Sequence, residues 1–339
     1  MVMSGRHADS LKTAVVVRIG IIPMYVITSI SINLLGLGYS ARREDAIRFL
    51  TRPHTPVNPK HWSPHMHLSR RRLAALLAVL GVAAAALPAA ASAKSTITIS
   101  GATGSEPLVA LLAKKFVKLY PGKYTFRIAQ GGGEVGIADA AAGRVTIGNA
   151  ARDPRPSDPA GLNFYGFAKD SFCFDTNPAN PIPNLTREQA IAIWTGQVRD
   201  WSQVPGAKVT GTINLIGRTS ASSLPPLVES LLLGGKKISS LAALKPSDGL
   251  VESSVAHDKN AIGFNSSYYA HQKDVHAVAF EGVACTARNV KSGQYPGVRN
   301  FYEVTRGPAK GAAKKFIDWI LKSKDARKII STSWVPLVG

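Results

Sequence analysis

The chain has 339 residues, enough for two domains that each bury a core. Its 41 Lys and Arg against 21 Asp and Glu give a net charge of +20, and residues 94–339 keep 30 basic and 18 acidic side chains, a net of +12. That balance favours anionic partners, but the basic residues of this part are scattered, with only Arg127 interleaved with aromatics near the first loops. Nucleic acid is therefore excluded as the expected partner, and two cysteines cannot build a metal site alone.

Residues 66–93 read as a secretory signal peptide. Met66-His67-Leu68-Ser69-Arg70-Arg71-Arg72 is a basic start, residues 73–87 are an apolar core too short for a comfortable stop-transfer helix, and Ala91-Ser92-Ala93 is a small-x-small cleavage site. No Cys follows the apolar core, so no lipid anchor is expected. Residues 1–65 sit oddly before such a signal. Their stretch 14–39 is apolar but carries Arg18, Pro23 and Asn33, and 42–65 is polar with many Pro and His. The expectation is that translation starts at Met66; a genuine N-terminal membrane segment is the alternative.

Residues 96–100 alternate as a strand and lead through Gly101-Ala102-Thr103-Gly104-Ser105 into a helix, with Pro107 in its first turn and apolar residues at helical spacing over 108–117. Backbone N–H groups and the positive helix end at such a turn suit an anion; an ordinary βα turn is the other reading. A second strand over 123–129 precedes Gln130-Gly131-Gly132-Gly133-Glu134-Val135-Gly136. Its glycines match G-x-G-x-x-G, but in the second βα turn rather than the first, so it reads as a loop allowing close backbone approach or as a structural turn. A third, buried strand over 145–150 delivers Arg152 and Asp153 to the same edge, where the guanidinium fork could meet an oxyanion or a surface carboxylate.

These residues resemble the periplasmic phosphate-binding proteins of ABC transporters and their phosphate-binding-like relatives. The family opens with a G-[SA]-T turn and a proline-led helix, like Gly101-Ala102-Thr103 and Pro107-Leu108. It continues with a Q-G-x-G loop, like Gln130-Gly131-Gly132-Gly133, and an I-G-x-A-S-R strand end, close to Ile147-Gly148-Asn149-Ala150-Ala151-Arg152. The resemblance implies an α/β, two-lobed flytrap fold, each lobe a sheet flanked by helices and joined by a hinge. Lobe 1 is expected over 94–168 plus 284–339 and lobe 2 over 169–283.

The second lobe opens with a strand over 170–175. Asn184-Leu185-Thr186-Arg187-Glu188-Gln189 then starts a helix in which Thr186 and Gln189 suit a capping box. This segment, with Trp194-Thr195-Gly196 and Trp201-Ser202-Gln203-Val204, resembles the family's N-L-[ST]-x-x-Q…I-[FW]-[ST]-G…W-x-x-V stretch, and both tryptophans are expected in the core. A strand over 213–217 runs into Arg218-Thr219-Ser220-Ala221-Ser222-Ser223-Leu224 and a helix over 227–233. Arg plus hydroxyls at a helix N-terminus is an oxyanion constellation; a capped helix with a solvated Arg is the plain alternative. The family carries R-x-x-G-S-G-T here, so Arg218 and Ser222 match ligand positions, while Ser223 replaces a Gly and Leu224 a Thr. A helix over 250–256 and Asn260-Ala261-Ile262-Gly263-Phe264 also resemble the family. The nearby histidines lack metal spacing.

The return strand is expected over 300–305, followed by helices over 311–323 and 325–331 and a Trp334-Val335-Pro336-Leu337 finish like the family's G-[YF]-V-P-L. Cys173 and Cys285 are expected to form a disulfide near the hinge side of lobe 2. The resemblance implies a monomeric, non-enzymatic binding protein without cofactor or metal, which holds phosphate or a similar oxyanion and serves an ABC permease. Its expected contacts are Thr103, Gly104, Gly133, Glu134, Arg152, Arg218, Ser222 and Ser223. Glu134 stands where the family has a hydroxyl; it could repel the anion, pair with Arg152 or point outward. The alternative function is an exported scaffold of the same fold with a degenerate or different ligand site. An enzyme ranks third, since no G-x-S-x-G or H-E-x-x-H motif is present.

Overall fold

The computed structural model describes residues 94–337. The expectations for residues 1–93, including the signal peptide and the start at Met66, lie outside them. The first lobe begins as a βαβαβ unit: β1 (Ser95–Gly101), α1 (Glu106–Leu119), β2 (Tyr124–Gln130), α2 (Gly133–Ala141) and β3 (Ile147–Ala150). β1 pairs in parallel with both β2 and β3, so the loops after all three strands open on one edge. Pro107 lies in the first turn of α1, and Leu108, Val109, Leu112 and Phe116 bury its apolar stripe.

β4 (Leu162–Thr176) is the 15-residue strand that ties the lobes together. Its first half pairs with β10 (Val298–Arg306), and its second half pairs with β8 (Ala261–Ser266) and β9 (His276–Phe280). The strands follow the order β2-β1-β3-β10-β4-β8-β6-β7, with β6 at Asn214–Arg218 and β7 at Ala243–Lys245. β6 runs parallel to β7 and β8, so Arg218 ends a strand that faces the first lobe's loops.

Two apolar cores sit on this frame. The first-lobe core joins Ile97, Leu112, Phe116, Phe301 and Phe316, the last from α8 (Gly311–Lys322), with α9 (Lys324–Ile330) alongside. The second contains Phe174, Trp194, Trp201, Phe264 and Phe280, both tryptophans being fully buried as expected. α3 (Arg187–Trp194) starts with the capping box of Thr186 and Gln189. The remaining helices are α4 (Leu224–Leu231), α5 (Asp248–Ala256), α6 (Ser267–Ala270) and α7 (Ala287–Lys291), and the sheet is completed by β5 (Asn184–Leu185) and β11 (Val335–Pro336).

The structure differs from the sequence reading in two places. The strand expected over 170–175 begins eight residues earlier, because its half-exposed first half is held by pairing with β10 and β11 rather than marked by its own alternation. The return to lobe 1 comes at Val298 and not at 284: Cys285, Val290 and Tyr295 pack in the second core. Cys173 and Cys285 are joined as a disulfide, with Cα atoms 5.8 Å apart, and so pin the segment before the return to the strand that leaves lobe 1. The closed segment is 112 residues long, so a Cys173→Ser/Cys285→Ser variant should lose ~2–5 kcal/mol of stability in urea unfolding. An unchanged midpoint counts against that role.

Glu303 on β10 is buried, neither carboxylate oxygen has a partner, and it lies opposite Asn149, whose Oδ1 is also unpartnered. Burial pushes its pKa from 4.5 up to about 8. A carboxyl raised in the folded state stabilises at low pH and loses that contribution as pH rises from its unfolded value through about 8. Glu303→Gln should therefore gain on the parent chain across pH 5–8, by at most ~1.4 kcal/mol per pH unit, and the gap should level off above that range. Thermal melts of both chains across that range measure it.

Candidate functional site

The four loops expected to hold an anion meet at one place. A side chain built on Gly133 would start 3.5 Å from the Ala151 nitrogen, 3.7 Å from Ser223 Oγ and 3.8 Å from Ala102 Cβ. That point collects the loops after β1, β2, β3 and β6. Gly132 has a φ of +94°, and a Cβ there would sit 2.3 Å from the Ala221 carbonyl oxygen, so only glycine permits this approach.

The lobes touch directly across this cleft. The Glu134 N–H donates to the Ala221 carbonyl at 3.2 Å. Ser223 Oγ donates to the Ala151 carbonyl at 3.0 Å, and Ser266 Oγ lies 3.4 Å from that of Gly104. Ser222 Oγ accepts from the Leu224 N–H at 3.2 Å and steadies the start of α4.

Arg218 is the cation at the centre. It is 3% exposed at the end of β6. Its Nη1 pairs with Asp248, its Nε donates to the Lys245 carbonyl at 3.2 Å, and its Nη2 donates to the Pro246 carbonyl and to Thr103 Oγ1, both at 3.1 Å. Thr103 Oγ1 in turn donates to Asp248 and accepts the Asp248 N–H at 3.1 Å. A guanidinium has five N–H donors; among the described residues four have partners, leaving one on Nη1. Burial pushes Asp248 up, but Arg218 and Arg299 outweigh it and hold the carboxyl below its usual range.

A second buried pair backs the first. Arg299 on β10 donates from Nε and Nη2 to Asp170 Oδ2 on β4 at 3.1 and 3.0 Å. Burial pushes Asp170 up to about 6 despite that partner. Ser266 connects the pairs: its Oγ donates to Asp170 at 2.9 Å and its N–H to Asp248 at 3.1 Å. Gly104 lies against the same guanidinium, since a Cβ there would be 2.3 Å from Arg299 Nη2.

Arg152 is placed differently. Nε and Nη2 meet the two Glu134 oxygens at 2.7 Å each, Nη1 and Nη2 meet Asp158 at 3.0 and 2.6 Å, and Nη1 also reaches the Asp153 carbonyl at 2.9 Å. All five N–H donors are used inside lobe 1. Burial alone lowers the Arg152 pKa, but the two carboxylates outweigh it and raise the net value. Of the alternatives for Glu134, pairing with Arg152 is the one observed.

The structure thus brings Thr103 to Arg218, Gly104 to Arg299, and Gly133 and Glu134 to the Ala221–Ser223 turn, while Arg152 turns away to its own carboxylates. Sequence reasoning missed Asp248, Asp170, Ser266 and Arg299. The Ser-Asp-Gly at 247–249 carried a helix-start signal but nothing that tied it to Arg218, 30 residues earlier. Among the described residues no cluster of His, Cys, Asp and Glu could hold a metal, and no helix is long and apolar enough to cross a membrane.

Residues 88–324 match the model of the PBP superfamily domain. The phosphate-binding protein PstS of Bacillus subtilis is 28% identical over 250 residues, covering 71% of this chain and 79% of that protein. A phosphate ABC transporter substrate-binding protein from Clostridium perfringens, solved with bound phosphate, is 28% identical and superposes with a TM-score of 0.67 over 72% of this chain and 100% of its own. An ABC-type phosphate transport receptor from Vibrio cholerae is also 28% identical, with a TM-score of 0.56 over 70% and 99% of the two chains. With a two-lobed frame, four loops meeting at one cleft and a family match over most of its length, the chain belongs to the PBP superfamily.

Proposed function

We propose that this protein is an exported, monomeric solute-binding protein that takes phosphate or a similar tetrahedral oxyanion between its lobes and passes it unchanged to an ABC-type permease. The observation that carries the reading is Arg218. It is buried at the lobe interface, held by Asp248 from its own lobe and by Thr103 from the other, with one Nη1 N–H left over. Relatives named for phosphate binding and transport support the choice of anion and of partner. Ser222, whose hydroxyl only accepts here, and the backbone around Gly133 supply the uncharged donors of such a site, and Ser223 joins them when its bond to the Ala151 carbonyl opens. Opening about the β4 and β10 crossing would admit the anion, and closing would return Thr103 to Arg218.

Arg152 favours a second reading. With its donors taken up by Glu134, Asp158 and the Asp153 carbonyl, Arg152 has no N–H left for a ligand, which fits a scaffold of the same fold that has lost its ligand or takes a less charged one.

Calorimetric titration of ligand-stripped protein with phosphate and with sulfate separates the two. The transport reading expects phosphate binding that Arg218→Ala weakens by about 10- to 100-fold, the worth of a charge-assisted hydrogen bond of ~1.5–3 kcal/mol. Glu134→Gln should tighten phosphate binding, because it removes a negative charge and frees an Arg152 donor. No heat with either anion from folded protein supports the scaffold.

A further inference from the structure

The net positive charge of residues 94–339 is concentrated in one lobe. Residues 94–168 with 298–339 hold 18 basic and 8 acidic side chains, whereas residues 169–297 hold 12 and 10. Within lobe 1, six of the ten net positive charges lie on the helix layer of α1, α8 and α9. These helices pack as one sheet-covering layer: Phe116 of α1 stacks near Phe316 and Trp319 of α8 with centroids 5.1 and 5.6 Å apart, and Lys115 of α1 pairs with Asp325 of α9 at 2.9 Å. Their outward faces carry Lys114, Lys118, Lys314, Lys315, Lys322 and Lys328, all exposed. Asp318 neutralises part of this, at Lys314 and, at 3.7 Å, Lys322.

We propose that this layer is a docking surface for the anionic headgroups of a lipid bilayer. Three features favour a bilayer over a shaped protein partner. The cations are lysines, point charges on long flexible stems rather than planar forks that read a fixed geometry. They are spread over three helices, which suits a fluid array of phosphates. Leu119, 42% exposed, stands beside Lys118 at the end of α1, an apolar side chain among cations as at membrane interfaces. Lobe 2 carries a net charge of only +2. The biological sense of the surface rests on the exported, permease-partnered reading above: charge would keep the protein beside the membrane and leave the cleft free.

The test is co-sedimentation of the purified protein with vesicles of phosphatidylglycerol and phosphatidylcholine, against phosphatidylcholine alone. Binding should require phosphatidylglycerol and vanish at high salt. A Lys314→Gln/Lys315→Gln/Lys328→Gln variant should bind about ten-fold less or weaker. A Lys208→Gln/Lys236→Gln/Lys259→Gln variant, which removes the same charge from exposed positions of lobe 2, should bind like the parent. Equal losses in the two variants, no binding by the parent, or capture by soluble polyphosphate with the vesicles ignored would each overturn the proposal. Phosphate titration and thermal melts of the same variants show that they are folded. Because neither set touches the cleft, a parent that binds vesicles but no phosphate overturns the transport reading alone.

Discussion

Everything at the cleft depends on keeping one guanidinium charged in a place without water. Arg218 and Asp248 are both buried, and two ions removed from water lose several kcal/mol each unless their lone pairs and protons are satisfied. Here all but one Nη1 N–H are: two carbonyls, one hydroxyl and one carboxylate surround Arg218, and Asp248 takes Arg218, Thr103 and the Ser266 N–H. The satisfaction is split between lobes. Thr103 comes from lobe 1 and the rest from lobe 2, so separating the lobes removes a partner from a charge pair that tolerates no loss. The closed arrangement follows from that.

The hinge carries the same logic. Asp170 and Arg299 face each other across β4 and β10, the two strands that cross between lobes. Ser266 touches both this pair and Asp248, and Gly104 rests against Arg299 beside Thr103. A rotation about these strands therefore cannot leave the cleft network unchanged. Four charges, two of each sign, are shared among the middle of β4 and the ends of β6, α5 and β10, and their sum is zero, which is what allows so many of them to be buried.

Much of this was legible in the sequence because local signals and family motifs coincide there. The G-A-T turn with Pro107, the glycine loop at 131–133, the Thr186 capping box and Arg218 before a serine-rich helix start each have a short-range cause, and each lies where it was read. What was not legible is long-range pairing. Asp248 looks like a helix-start acid and Arg299 like a strand residue; only the β6–β8 and β4–β10 registers bring them to Thr103 and Asp170. The first half of β4 escaped for the same reason, since pairing with β10 rather than its own alternation makes it a strand. Arg152 was read as a fork for an outside anion, and its five donors go to carboxylates and a carbonyl of its own lobe.

Arg152 and Arg218 are the same side chain at the ends of two comparable strands, and the difference between them lies in their company. Arg152 and its neighbour Arg155 share Glu134 and Asp158, so its group is neutral and complete within lobe 1. Arg218 has one carboxylate, so its group is neutral and completed only by the other lobe. An anion entering the cleft meets no spare N–H on Arg152 and one on Arg218. The ligand's charge must therefore be met from the lobe 2 side and the hinge, with lobe 1 contributing the Thr103 hydroxyl and backbone. The lysine-rich layer of α1, α8 and α9 does not change this balance, because it covers the outer side of the lobe 1 core and its charges are screened over about 10 Å of salt water.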